Sequence, residues 1–144
     1  MTQTVEQVLQ AAKLYSDGKL YVLVRLPPRA ITAAAGVLAE LAEPFSALVV
    51  DKDEITLVIP ADSVTIFAPR LRDSTVSETQ YRLITFDMAL DLSLVGFMAH
   101  VSQALANAGV AIMPYAAYTR DHLLVPAYSF EKAWATLEKL KSGK

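Results

Sequence analysis

An α+β fold, built from two ferredoxin-like units with antiparallel sheets, is predicted by three observations on this 144-residue chain. The order strand, helix, strand, strand occurs twice, with a topological period of roughly 60 residues. Apolar runs of strand length alternate with stretches whose apolar residues recur at helical spacing. The composition is 53% hydrophobic and only 19% charged, which is apolar for one small domain and implies buried sheet together with an oligomer surface.

Taken in order, Val5, Val8 and Leu9 predict a short helix over 3–10. Asp17-Gly18 predicts a hairpin turn between strands at 11–15 and 20–26, because glycine accepts the positive φ of such turns. Pro27-Pro28 ends the second strand, since neither can donate to a ladder. Ile31, Ala34, Leu38 and Leu41 mark a helix stopped by Pro44. Strands at 45–50 and 54–59 flank the polar turn Asp51-Lys52-Asp53, and a further short strand is expected at 63–67. The polar stretch 68–80 reads as a connector, which sets units at 11–67 and 81–141.

The second unit opens with a strand at 81–88. Its helix buries Leu94, Phe97, Met98, Val101, Leu105 and Ala108, and Asn107-Ala108-Gly109 stops it. Strands at 110–115 and 122–125 flank a turn at 118–121. A last helix, capped by Ser129, buries Phe130, Ala133, Trp134, Leu137 and Leu140. A βαββαβ sheet needs one more strand after Lys141, and the strand at 11–15 is expected to fill that place, because an open edge invites aggregation.

Several function classes are excluded as expectations. The absence of cysteine removes disulfides, thiolate metal sites and thiol nucleophiles. Asp87, Asp91, Arg120 and Asp121 interrupt the longest apolar windows, so no membrane partner is expected. The first residues lack an apolar signal core, which points to the cytoplasm. A net charge of −2 argues against nucleic acid, and the basic tail Lys139, Lys141 and Lys144 reads as a solvated helix end. No phosphate-binding glycine loop or nucleophile elbow occurs, and Asp51, Asp53 and Glu54 lack the spacing of a calcium loop. No catalytic residue, metal ligand or cofactor is therefore assigned. His100 and His122 read as structural or solvent-facing, although an acid–base pair of His122 with Asp121 is a competing enzyme reading.

Four strings carry a resemblance: RLPP at 25–28, DEITLVIP at 53–60, DLSLVGFMAHVSQALANAGVAI at 91–112 and AAYTRDHLLVP at 116–126. Together, over about Leu14 to Leu140, they resemble the tandem ACT-domain proteins of the small bacterial type, related to the CASTOR-like amino-acid-sensing ACT family. The resemblance implies two interlocked ACT units, a homodimer, and a small ligand such as an amino acid held between units. It also implies ligand contact by Tyr118 and Asp121, and it matches Gly96 to the glycine opening the second helix and Glu54, Thr56 and Val58 to a strand pattern. Leu94, Ala116-Ala117 and Ala127 depart from the pattern of guanidinium-binding relatives, which argues against arginine.

The residues themselves support parts of this site. Gly96 lets a ligand carboxylate approach the helix N-terminus near Val95 and Phe97, where N–H groups are free; the alternative is close helix packing. Asp121 can hold an ammonium group or cap its own turn. Tyr118 offers a flat apolar face with a polar tip, or is an ordinary loop aromatic. Asp91 or Ser93 is expected to cap the helix. The backbone at Thr56 and Leu57 is expected to close the pocket from the other unit. The reading is a regulatory module that binds an amino-acid-like ligand. The alternative is a ligand-free dimerisation or protein-interaction module. An RNA-binding sheet of the same topology lacks the aromatic and basic surface it would need.

Overall fold

The computed structural model describes residues 3–143; Lys144, the last of the basic tail, lies outside them. In chain order the elements are α1 (Val5–Ala11), β1 (Lys13–Tyr15), β2 (Leu20–Leu26), α2 (Ile31–Leu41), β3 (Ala47–Val50), β4 (Ile55–Pro60) and α3 (Ser63–Phe67). They continue with β5 (Thr75–Val76), β6 (Tyr81–Asp87), α4 (Phe97–Asn107), β7 (Met113–Ala116), β8 (Asp121–Pro126) and α5 (Phe130–Lys141). Two compact α+β units result: Leu20–Gln80 forms one, and among the described residues 3–19 join 81–143 in the other.

In the second of these, the C-terminal unit, the described strands form an antiparallel sheet in the order β1-β6-β8-β7. Lys13, Leu14 and Tyr15 sit opposite Asp87, Phe86 and Thr85. The strand wanting after α5 is thus supplied from the N-terminal end of the chain, as expected. The same pairing overturns the expected hairpin at Asp17-Gly18. Gly18 does take a positive φ of 77°, and the Asp17 carboxylate accepts from the Lys19 N–H at 3.0 Å. That turn is a local matter, however, and β1 finds its ladder on β6 while β2 pairs with β4 and β5.

The helices cover one face of this sheet through a regular stripe. Phe97, Val101 and Leu105 of α4 recur every fourth residue, and Phe130, Ala133 and Leu137 do the same work on α5. They close over Ile84 and Phe86 of β6 and Leu123 and Val125 of β8. Gly109, at φ 76°, stops α4 in a Schellman arrangement: the Val110 N–H donates to Leu105 O at 2.9 Å and the Gly109 N–H to Ala106 O at 3.0 Å. Ser129 does not cap α5 with its side chain; it is buried in a 3-10 turn that leads into the helix.

The N-terminal unit has the order β3-β4-β2-β5, again antiparallel. Asp51 makes the β3–β4 turn: its carboxylate accepts from the Asp53 and Glu54 N–H groups at 2.8 and 2.9 Å, which holds its pKa below the ordinary value. Two expectations fail here. Residues 63–67 are one helical turn, not a strand, because Pro60 ends β4 and the chain must cross to the far edge of β2. The stretch 68–80 is more than a connector, since Thr75 and Val76 pair with Arg25 and Val24 as the fourth strand. Helix α2 buries Ala34, Val37 and Leu41 and leaves Ile31 39% exposed. It ends before Pro44, at Ala42 in the left-handed conformation.

Candidate functional site

The site is assembled where the loop after β6, the start of α4 and the β7–β8 turn meet in the C-terminal unit. Helix α4 starts later than expected, because Gly96 adopts φ 92° and ψ 0° and breaks the helical geometry behind it. Gly96 is therefore the N-cap, and neither Asp91 nor Ser93 fills that role; no side chain caps the helix. The first intrahelical bond runs from the His100 N–H to Gly96 O at 3.1 Å. The N–H groups of Phe97, Met98 and Ala99 lie ahead of that bond, in the turn where an α-helix has no acceptor of its own.

Those three residues line a cavity of about 320 Å³. Its floor and walls also include Leu94, Ala116, Ala117, Tyr118 and Asp121. The loop before α4 is pinned from two sides. The Gln3 amide donates to Ala89 O at 3.1 Å and accepts from the Asp91 N–H at 2.9 Å. The Leu90 N–H donates to Thr119 O at 2.6 Å. The β7–β8 turn closes with the Ala117 N–H on Arg120 O at 2.9 Å, and the Arg120 guanidinium is tied to Asp87 at 3.0 Å.

Asp121 is the first residue of β8 and shares a face with Leu123 and Val125, the face that packs under the helices. Asp121 lines the cavity together with the first residues of α4. Partial burial pushes its pKa up, against a smaller opposing effect of His122. A cation arriving beside it would relieve that cost.

Of the residues expected to bind, Gly96, Phe97, Tyr118 and Asp121 are brought together. Tyr118 is 80% exposed and forms the lip. Val95 is 86% exposed and turns instead to a groove shared with Val5 and Glu6. Thr56 and Leu57 lie in β4 of the N-terminal unit, flanked on both sides by ladder partners, Arg25 and Val49 for Thr56 and Val24 and Leu48 for Leu57. Their backbone groups are satisfied inside that sheet. The sequence does not mark Met98 and Ala99 as site residues, because Leu94 extends the apolar stripe ahead of the true helix start; the available signal is a glycine ahead of an unbroken helical stripe.

Residues 76–139 match the ACT domain family model. Comparison with curated proteins gives no match. Among solved structures the chain is similar to a Vibrio cholerae protein of unknown function described as a possible transport protein, at 22% identity and TM-score 0.74, covering 96% of each chain. It is also similar to aspartokinase alpha and beta subunits at 15% identity and TM-score 0.71, covering 90% of this chain and 97% of that one. A third is the regulatory subunit of aspartate kinase from Thermus flavus, at 16% identity and TM-score 0.68, covering 88% and 95%. The cavity, from Leu90 to Asp121, falls wholly within the stretch that matches the ACT domain.

Asp121 lines the cavity, whereas the neighbouring His122 is not among its lining residues. His122 alternates to the other face of β8 from Asp121, and its Nδ1 lies 2.8 Å from the Thr85 hydroxyl. Burial lowers the His122 pKa below 6.5, and Arg120 lowers it further against the opposing pull of Asp121. The folded state thus disfavours the proton: the contribution to stability is complete above pH 6.5 and is lost as pH falls from there through the folded value. Urea midpoints between pH 7.5 and pH 5 should fall less in His122→Gln than in the parent, and equal slopes would show that His122 does not set the dependence. Among the described residues no three His, Asp or Glu side chains group as a metal set, and no helix is long and apolar enough to cross a membrane.

Proposed function

We propose that the chain is a regulatory module that senses a small zwitterion, an amino acid, in the cavity of its C-terminal unit. One observation carries this reading: the uncapped first turn of α4 and the half-buried Asp121 line the same cavity. Free amides and the positive end of the helix dipole attract the ligand carboxylate. Asp121 takes the ammonium group in a charge-assisted hydrogen bond. The role performed is binding, and the ACT match and the fold shared with aspartokinase regulatory subunits support a regulatory use of it.

The test is a thermal and urea stability screen against the twenty amino acids. A ligand at a hundred times its dissociation constant should add about 2.7 kcal/mol. Asp121→Asn should weaken the response about tenfold or more, the value of a hydrogen bond to a charged group. The unliganded variant should be no less stable than the parent at neutral pH, because it loses a carboxylate whose raised pKa marks a cost in the folded state.

A second reading has its own support. Leu92 and Tyr118 on the cavity lining, with Val95 beside it, are 74%, 80% and 86% exposed, an apolar surface suited to self-association. A homodimer in light scattering, with no amino acid changing stability, selects a ligand-free dimerisation module instead.

A further inference from the structure

The N-terminal unit carries a groove of about 400 Å³ where the start of α2 meets the segment leading into β5. Three arginines, Arg29, Arg70 and Arg72, border it. Arg29 Nη2 lies 2.6 Å from the Asp73 carboxylate, and Arg70 is paired with Glu40. Arg72 is exposed and has no ion-pair partner among the described residues. Three cations against two carboxylates leave this spot positive on a chain whose net charge is −2.

Two departures from local sequence preference meet at the same place. Gly36 stands inside α2, where alanine would be favoured, and a Cβ there would come within 2.8 Å of Arg70 Nη2. The missing side chain makes the notch in which that guanidinium lies, with the Phe67 ring 5.8 Å from its carbon on another side. Asp73 holds φ 60°, a left-handed conformation that a non-glycine residue adopts at some cost. The 3-10 turn at Pro28–Ala30 that enters α2 also has no side-chain cap, which adds the positive end of a helix dipole to the guanidinium groups.

We propose that this groove binds a phosphate dianion, either free or as the monoester of a small metabolite. A carboxylate offers two oxygens and is met by one guanidinium fork, whereas a tetrahedral anion presents oxygens to several arginines from different directions. Asp73 acts as a built-in competitor that occupies Arg29 until the anion displaces it. The site is independent of the amino-acid cavity, which lies in the other unit.

The experiment is isothermal titration at low salt with inorganic phosphate, glycerol 3-phosphate and acetate, on the full chain. Both phosphates should bind saturably and acetate should not. Arg72→Ala should weaken phosphate about fivefold or more, an effect that fades as salt is raised. Asp73→Asn keeps a residue type that tolerates φ 60° and removes the competing charge, so it should tighten binding. Gly36→Ala displaces the Arg70 terminus while favouring the helix, so it should weaken binding with a melting temperature no lower than the parent. Equal affinity for the two phosphates identifies the free anion, and tighter binding of the monoester identifies a metabolite. Acetate binding as well as phosphate, or affinities unmoved by both Arg72→Ala and Asp73→Asn, would overturn the proposal.

Discussion

Phe86→Ala is expected to cost about 3–5 kcal/mol of unfolding free energy, a large part of the 5–15 kcal/mol typical of a whole domain. Phe86, the last residue but one of β6, is 1% exposed and meets Phe97 edge to face, with ring centroids 5.1 Å apart and planes at 89°. Truncation removes buried area, leaves a void between sheet and helix, and forfeits the aromatic pair. The effect reaches the site as well. Phe97 is the first residue of α4 and lines the cavity, so a loosened ring lets the amide donors drift. Chemical denaturation measures the stability term, and the ligand screen repeated on the variant measures the second. A loss under 1 kcal/mol would mean that the pair does not hold α4 to the sheet.

Gly96→Val is expected to abolish binding while costing less stability than Phe86→Ala. At φ 92° a β-branched residue bears backbone strain of about 1–3 kcal/mol. Space is not the obstacle, since an added Cβ would sit 3.9 Å from the nearest atom, Val5 Cγ2, an ordinary contact. The variant relieves strain by rotating the peptide that opens α4, which turns the Phe97 and Met98 N–H groups out of the cavity. Circular dichroism melts should therefore show a modest loss, and the amino-acid response should vanish. Gly96→Asn should fall between, because asparagine enters the left-handed region more readily. A Gly96→Val protein that melts and responds like the parent would remove Gly96 from the site.

Much of this architecture is readable in the one-dimensional pattern. The stripe Phe97, Val101, Leu105 announces α4, and Gly109 announces its end, because helix periodicity and glycine's tolerance of positive φ act within a few residues. The turn at Asp51 is readable for the same reason, since its carboxylate bonds to N–H groups two and three positions on. The start of α4 is not readable in the same way. Apolar Leu94 fits the stripe, but the φ of Gly96 separates it from the helix.

Local interactions thus set which segments become helix or strand, where they turn and which faces they bury. They do not select partners across the chain. Whether β1 joins β2 or β6, whether Thr75 and Val76 complete a sheet, and whether Gln3 clamps a loop nearly ninety residues away depend on pairings between distant segments. A lone strand leaves its amides equally ready for any extended neighbour, so the choice falls to whichever arrangement buries both apolar faces and leaves no backbone group unpaired. That choice is also what brings Asp121 into one cavity with the first turn of α4 and turns His122 to the opposite side of the sheet.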